Sequence, residues 1–191
     1  LQTFKSRIRR CFQLLIRIFM KNRVLFLMMF LLFAGMVSGQ EVDEEIEAMR
    51  PPRLLGKQAP QIEEATWINK KPESRNGRLT LLHFWSPTQP MAAYVDIPRF
   101  NKFAKEFADK LQVIGLSPDE PDFIMDIEPM LEYPYASTPK TVEKYGVTTL
   151  CYCYVLDPEG KVVHECFALL KGEAITEDLL KELIKKYYKG K

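Results

Sequence analysis

Residues 79–85 read Leu-Thr-Leu-Leu-His-Phe-Trp, and residues 111–116 read Leu-Gln-Val-Ile-Gly-Leu. Asn76-Gly77 precedes the first run and Ser86-Pro87 follows it. A short, nearly continuous apolar run between turn residues is the pattern of a strand buried on both faces, as in a parallel sheet. Between the two runs, Phe100, Phe103, Ala104 and Phe107 recur at i, i+3, i+4 and i+7, which predicts a helix with one apolar stripe. Strand, helix, strand in this order is a βαβ unit, and such crossovers favour the right hand.

Working outward, Asp122 to Leu131 reads as a short helix, and Leu150–Leu156 and Lys161–Leu169 as two strands joined at Asp157-Pro-Glu-Gly160. Leu179, Leu180, Leu183, Ile184 and Tyr187 mark a terminal amphipathic helix with Thr176 as its N-cap. The order β-α-β-α-β-β-α is that of a thioredoxin fold: an α/β domain with a central mixed sheet flanked by helices. The predicted domain spans residues 55–188. With 191 residues, 47% of them hydrophobic, the chain has enough apolar material for one core and too little for two.

The N-terminal part reads as an address. From Met20, a basic start (Lys21, Arg23) leads into the apolar run Val24–Ala34, and Val37 and Gly39 suit cleavage before Gln40. The expectation is an exported protein, periplasmic or secreted; a retained leader would instead tether it to the membrane. Residues 1–19 are read as an over-long start, with an amphipathic basic helix as the alternative. Residues 40–54, acidic and then Arg50-Pro-Pro-Arg53, read as a linker. Seven of the 27 basic residues and none of the 25 acidic ones precede residue 40, which leaves 20 basic and 25 acidic, a net charge of −5. An acidic domain lacks the electrostatic footprint for nucleic acid, so that class of partner is excluded.

Several segments together resemble the TlpA-like thiol–disulfide oxidoreductases and the related AhpC/TSA peroxiredoxins: Gly56-Lys-Gln-Ala-Pro60, His83-Phe-Trp85, Val113-Ile-Gly-Leu-Ser117, Tyr145-Gly-Val147 and Val155-Leu-Asp-Pro-Glu-Gly-Lys161. The resemblance implies a Cys-x-x-Cys where the first core strand turns into the helix, since a helix N-terminus lowers a thiol's pKa. The corresponding loop, residues 86–93, reads Ser-Pro-Thr-Gln-Pro-Met-Ala-Ala and holds no cysteine. Aligned from Trp85, Gln89 and Ala92 stand at the thiol positions, and the stretch from Trp85 to Pro98 is one residue longer than the family pattern. Aligned with peroxiredoxins, Ser86 replaces the peroxidatic cysteine, and a hydroxyl cannot form a sulfenic acid. The family's cis-proline position carries Cys151. A cis peptide before a non-proline residue costs about 2.5–4 kcal/mol, so a trans bond is expected there.

Cys151, Cys153 and Cys166 remain after the leader, an odd number. A bulged Asp157–Lys161 turn is expected to set Cys153 opposite Glu165, leaving Cys166 and His164 on the other face. A two-residue turn would instead gather Cys151, Cys153, His164 and Cys166 into a soft-metal site. The first register is favoured, with the cysteines as small core residues and no metal. His83 could approach Ser86, but a Ser–His pair lacks a third group and an oxyanion hole, so a locally hydrogen-bonded histidine is expected. No motif implies a cofactor. The expected function is binding of a protein or peptide partner in the cell envelope through Trp85, Pro87, Thr88, Met91, Tyr94 and Tyr135, without dithiol chemistry. The alternative is a redox or peroxidase role for Cys151 with a partner's thiol.

Overall fold

The computed structural model describes residues 44, 47–89, 92–125, 131–148, 150–167 and 172–190. The chain divides into two compact units, Leu1–Glu45 and Ile46–Lys191. Of the first, only Glu44 is described, helical and exposed; the expectations for residues 1–39 lie outside the described residues. Among those described, no helix is long and apolar enough to cross a membrane.

The second unit holds a mixed six-stranded sheet: β1 (Thr66–Trp67), β2 (Leu79–Phe84), β3 (Leu111–Ser117), β4 (Tyr135–Ser137), β5 (Tyr152–Leu156) and β6 (Val162–Phe167). Spatially the order is β1-β4-β3-β2-β5-β6. β2 runs parallel to β3 in unbroken register from Leu79↔Leu111 to Phe84↔Leu116, and β3 parallel to β4. β5 pairs antiparallel with β2 and with β6. The helices are α1 (Ile97–Glu106), α2 (Pro121–Met125), α3 (Pro139–Lys144) and α4 (Glu177–Tyr187). This is the α/β thioredoxin architecture the sequence predicts. β1, β4 and α3 are additions that no apolar run announced, and residues 126–130 of the predicted helix lie outside the described residues.

Every residue of β2 and β3 is buried, and the period of two sorts their side chains into two cores. Leu79, Leu81, Trp85, Leu111 and Val113 meet Ile97, Phe100 and Phe103 of α1 and Leu180, Leu183 and Ile184 of α4. Leu82, Phe84, Ile114 and Leu116 meet Val142 and Tyr145 on the other side, with Tyr152 and Tyr154 of β5. Each fully buried large apolar side chain contributes about 1.5–3 kcal/mol, so the sandwiched strands hold most of the stability. Thr176 caps α4 as expected, its side chain accepting from the Leu179 N–H.

The β5–β6 register departs from expectation. The turn itself forms as predicted, with the Asp157 N–H donating to the Lys161 carbonyl and Gly160 left-handed at φ 88°. A register shift between Val155 and Leu156 then leaves Val163 as an extra residue, because Leu156 faces Val162 while Val155 faces His164. One inserted residue reverses the faces that follow. Cys153 therefore lies opposite Cys166, and Tyr154 opposite Glu165.

Part of the stretch read as a linker is held against the domain. Arg50 is half-buried with its side chain largely covered, ion-paired with Glu47 at 2.7 Å and Glu173 at 2.6 Å, and its guanidinium lies 5.7 Å from the Phe167 ring centroid.

Gly115 is the narrowest point of the sheet. A Cβ there would lie 3.0 Å from Trp85 Nε1, 3.0 Å from Tyr135 Cβ and 3.1 Å from a Leu131 methyl. Gly115→Ala is expected to overpack this point and cost about 1–3 kcal/mol, seen as a lower urea midpoint at unchanged slope. A midpoint equal to the wild type's would show that the three neighbours give way freely.

Candidate functional site

The first core strand ends where the sequence suggested a site. Beyond β2, the Trp85 N–H still donates to the Leu116 carbonyl at 3.1 Å, which carries the sheet one residue further. At Ser86 the chain leaves the sheet through a side-chain-closed turn. Ser86 Oγ accepts from the Thr88 N–H at 3.2 Å and shares a 2.8 Å hydrogen bond with Thr88 Oγ1. The Gln89 N–H closes back onto the Ser86 carbonyl at 3.0 Å. Ser86 is buried, Thr88 is exposed, and Pro87 and Gln89 are between.

The helix that follows does not open as an α-helix. Residues 92–96 form a π-helical turn, continuous with α1. A π turn takes up more residues than an α turn, so it has room for the extra residue that the resemblance implies between Trp85 and Pro98. Asp96, at the N-cap position of α1, has helical φ and ψ and makes no side-chain capping bond. On the facing side, the Cys151 N–H donates to the Phe84 carbonyl at 3.1 Å, which places the residue beside the end of β2. Cys151 is fully buried and holds φ at 76°, a conformation that costs a non-glycine residue on the order of 1–3 kcal/mol.

Ser86, Thr88, Gln89 and Cys151 thus converge at the end of β2. Tyr94 projects from the π turn at 77% exposure. Trp85 and Tyr135 do not join this surface. Both are core residues, with ring centroids 6.1 Å apart, because the absent Cβ of Gly115 lets them pack inward. Met91 lies outside the described residues, and for Ala92 only the backbone's part in the π turn is described.

Beneath the loop runs a row of chemically active groups that the sequence reading did not assemble. Cross-strand neighbours on one face are Tyr135, Gly115, His83, Cys153 and Cys166, in that order across β4, β3, β2, β5 and β6. His83 is fully buried. Its Nδ1 lies 3.0 Å from Tyr133 Oη, and its ring packs edge-on against Phe100 at 4.8 Å. Its Nε2 has no hydrogen-bond partner and stands 4.0 Å from Asp96 Oδ2, which also has none. Burial drives the His83 pKa down from 6.5 to about 3, so the ring is neutral at neutral pH and the contact is no ion pair. Tyr133 Oη and His83 Nδ1 share this hydrogen bond, which leaves Nε2 to face the carboxyl. Burial raises Asp96 from 3.8 to about 6, against Arg99 at 3.7 Å from Oδ1. The expectation of a locally bonded His83 holds for Tyr133. Asp96 was missed because nothing in the sequence signals the π turn that carries it to the buried face.

The other arrangement considered for the cysteines, a soft-metal site, lacks its geometry. Among the described residues no three His, Cys, Asp or Glu side chains come together as metal ligands, although the bulge sets Cys153 opposite Cys166 and Val155 opposite His164.

A six-stranded mixed sheet with a strand–loop–helix site at the end of its central strand defines a thioredoxin-like protein. Residues 55–165 match the AhpC/TSA family, more than half of the chain, and the protein belongs to that family. ResA, a thiol-disulfide oxidoreductase of Bacillus cereus, is 28% identical over 176 residues, which cover 87% of this chain and 97% of ResA. ResA of Bacillus thuringiensis subsp. konkukian gives the same 28% over 176 residues. Among solved structures, a thiol-disulfide isomerase from Corynebacterium glutamicum superposes with a TM-score of 0.54 at 16% identity, covering 76% of this chain and 99% of its own. A thioredoxin-like superfamily protein gives 0.52 at 18% identity, covering 70% of this chain and 97% of its own.

The opposed shifts of His83 and Asp96 give a pH signature. Asp96 binds its proton more tightly in the folded state, so its contribution to stability is full below pH 3.8 and lost as pH rises to about 6. His83 does the reverse: its contribution is full above pH 6.5 and lost as pH falls to about 3. Between pH 4 and pH 6 the two slopes oppose, which flattens the wild-type curve. Asp96→Asn is expected to leave the His83 slope alone, so that stability falls below pH 6.5, and to gain up to about 3 kcal/mol at pH 7.5. Urea unfolding at a series of pH values checks this. A variant curve parallel to the wild type's would show that Asp96 is not the titrating group.

Proposed function

We propose that this chain is an exported thioredoxin-like protein whose loop at residues 86–93 binds a protein or peptide partner and carries out no dithiol chemistry. The observation that carries the reading is the turn at Ser86. Where the family resemblance calls for a thiol, the chain offers a buried hydroxyl already committed to Thr88. Gln89 and Ala92, at the Cys-x-x-Cys positions, have no sulfur with which to form a mixed disulfide. What the loop does present is Thr88 and the exposed ring of Tyr94, and aromatic side chains at such positions are common anchors of protein contacts. The basic, apolar and small-residue segments between Met20 and Gly39 support export, and with it a partner in the cell envelope. A redox role for Cys151 has the family position in its favour and complete burial against it.

The test uses ResA-type activity as its yardstick. In an insulin-reduction assay with dithiothreitol, and in a peroxide-consumption assay, the protein is expected to read no faster than the buffer blank. Titrated against a fluorescent, carboxymethylated unfolded polypeptide, it is expected to bind, and Tyr94→Ser to weaken binding about tenfold, as for an interface hot spot. Turnover in either assay would overturn the non-catalytic reading. Equal binding by Tyr94→Ser would remove Tyr94 from the surface.

A further inference from the structure

The hairpin that closes the sheet brings two thiols face to face. Cys153 on β5 and Cys166 on β6 are directly opposed across an antiparallel pair, each 1% exposed and packed in the same core cluster. Directly opposed residues on antiparallel strands have Cα atoms about 4.5–5.5 Å apart, inside the roughly 4.4–6.8 Å that a disulfide spans. The bulge at Val163 creates this meeting: without it Cys166 would point away. Cys151 is differently placed. It precedes the first residue of β5, and its left-handed φ of 76° takes it out of the strand pleat.

We propose that Cys153 and Cys166 form a cross-strand disulfide as the chain folds, with the disulfide of a small thiol or of an oxidoreductase as the oxidant. One thiolate attacks the oxidant's S–S bond, which breaks as a protein mixed disulfide forms and the first thiol leaves. The second cysteine then attacks its neighbour's sulfur in that mixed disulfide, forming the intramolecular bond and expelling the second thiol. Two cysteine thiols are oxidised, the oxidant disulfide is reduced to two thiols, and those thiols carry off both protons. Timing follows from burial. In the finished fold both thiols resist ionisation, Cys153 strongly and Cys166 with its pKa pushed up to about 12 by burial and by Asp96. Since the thiolate is the attacking species, exchange belongs to the folding chain. This inference stands apart from the partner-binding reading, because it concerns the core beneath the loop.

The experiment refolds the full chain from denaturant in a reduced/oxidised glutathione buffer, then denatures it, alkylates without reduction and maps the peptides by mass. A tryptic peptide spanning 145–161 carries both Cys151 and Cys153, and a chymotryptic cut after Tyr152 separates them. The expected product joins Cys153 to Cys166, lacks two hydrogens, and leaves Cys151 alkylated. Its thermal midpoint should exceed that of the reduced protein by about 5–10 °C, from closing a short loop. Native reduced protein given the same oxidant should close the bridge at least tenfold more slowly. Full alkylation of both cysteines after refolding, or a bridge through Cys151 in place of either, would overturn the assignment. Equal rates from the native and unfolded states would overturn its timing.

Discussion

The structure depends on a strand with no solvent face. β2 is buried along its whole length, with β3 parallel on one side and β5 antiparallel on the other. Six consecutive residues in such a place must satisfy their backbone through neighbouring strands and their side chains through helices above and below. α1 and α4 cover one side of the sheet and α3 the other. The site then follows from chain direction. A buried parallel strand can release the chain only at its end, so the loop at residues 86–89 and the π turn after it lie where β2 leaves the sheet.

Such a strand tolerates polar side chains only at a cost, and it carries two. Thr80 Oγ1 is buried with no hydrogen-bond partner. His83 is accommodated by losing its charge and by a ring of aromatic neighbours, with Tyr133 holding one nitrogen. Its other nitrogen is left to Asp96 at a distance too long for a hydrogen bond. Buried acids without full hydrogen bonding give up stability. This pair does so in opposite directions along the pH axis: between about pH 3 and about 6 both groups are neutral in the fold, and on either side of that window one of them must carry a buried charge.

The parts of the fold legible in the sequence are those written in period and punctuation. Leu79–Trp85 and Leu111–Leu116 stand out as short apolar runs, and α1 and α4 as stripes of Phe and Leu. β4 was illegible because Tyr135-Ala-Ser137 is three residues long, below the length at which alternation can be told from chance. The hairpin shows a finer limit. Asp157-Pro-Glu-Gly160 gave the right turn and, from it, the wrong faces, because the bulge at Val163 is a packing choice made by Val162 and Cys166 on opposite sides of the sheet. No local residue signals it. Similarly, Trp85 and Tyr135 read as loop aromatics until Gly115 is seen as the gap that admits them.

The π turn joins the two unusual features of the site. An α-helix starting directly after the β2 loop would aim its first unpaired N–H groups at the residue that enters it, the arrangement that lowers a thiol's pKa. A π turn is wider than an α turn, which changes which N–H groups stay unpaired and where they point. At the same step Asp96, at the N-cap position of α1, makes no capping bond and is carried to the inner face, within 4.0 Å of His83. The turn that shapes the end of the loop thus also buries an acid beside the histidine. Under the partner-binding proposal neither alteration costs the loop anything, because shape and an exposed Tyr94 do not depend on the direction of the helix dipole.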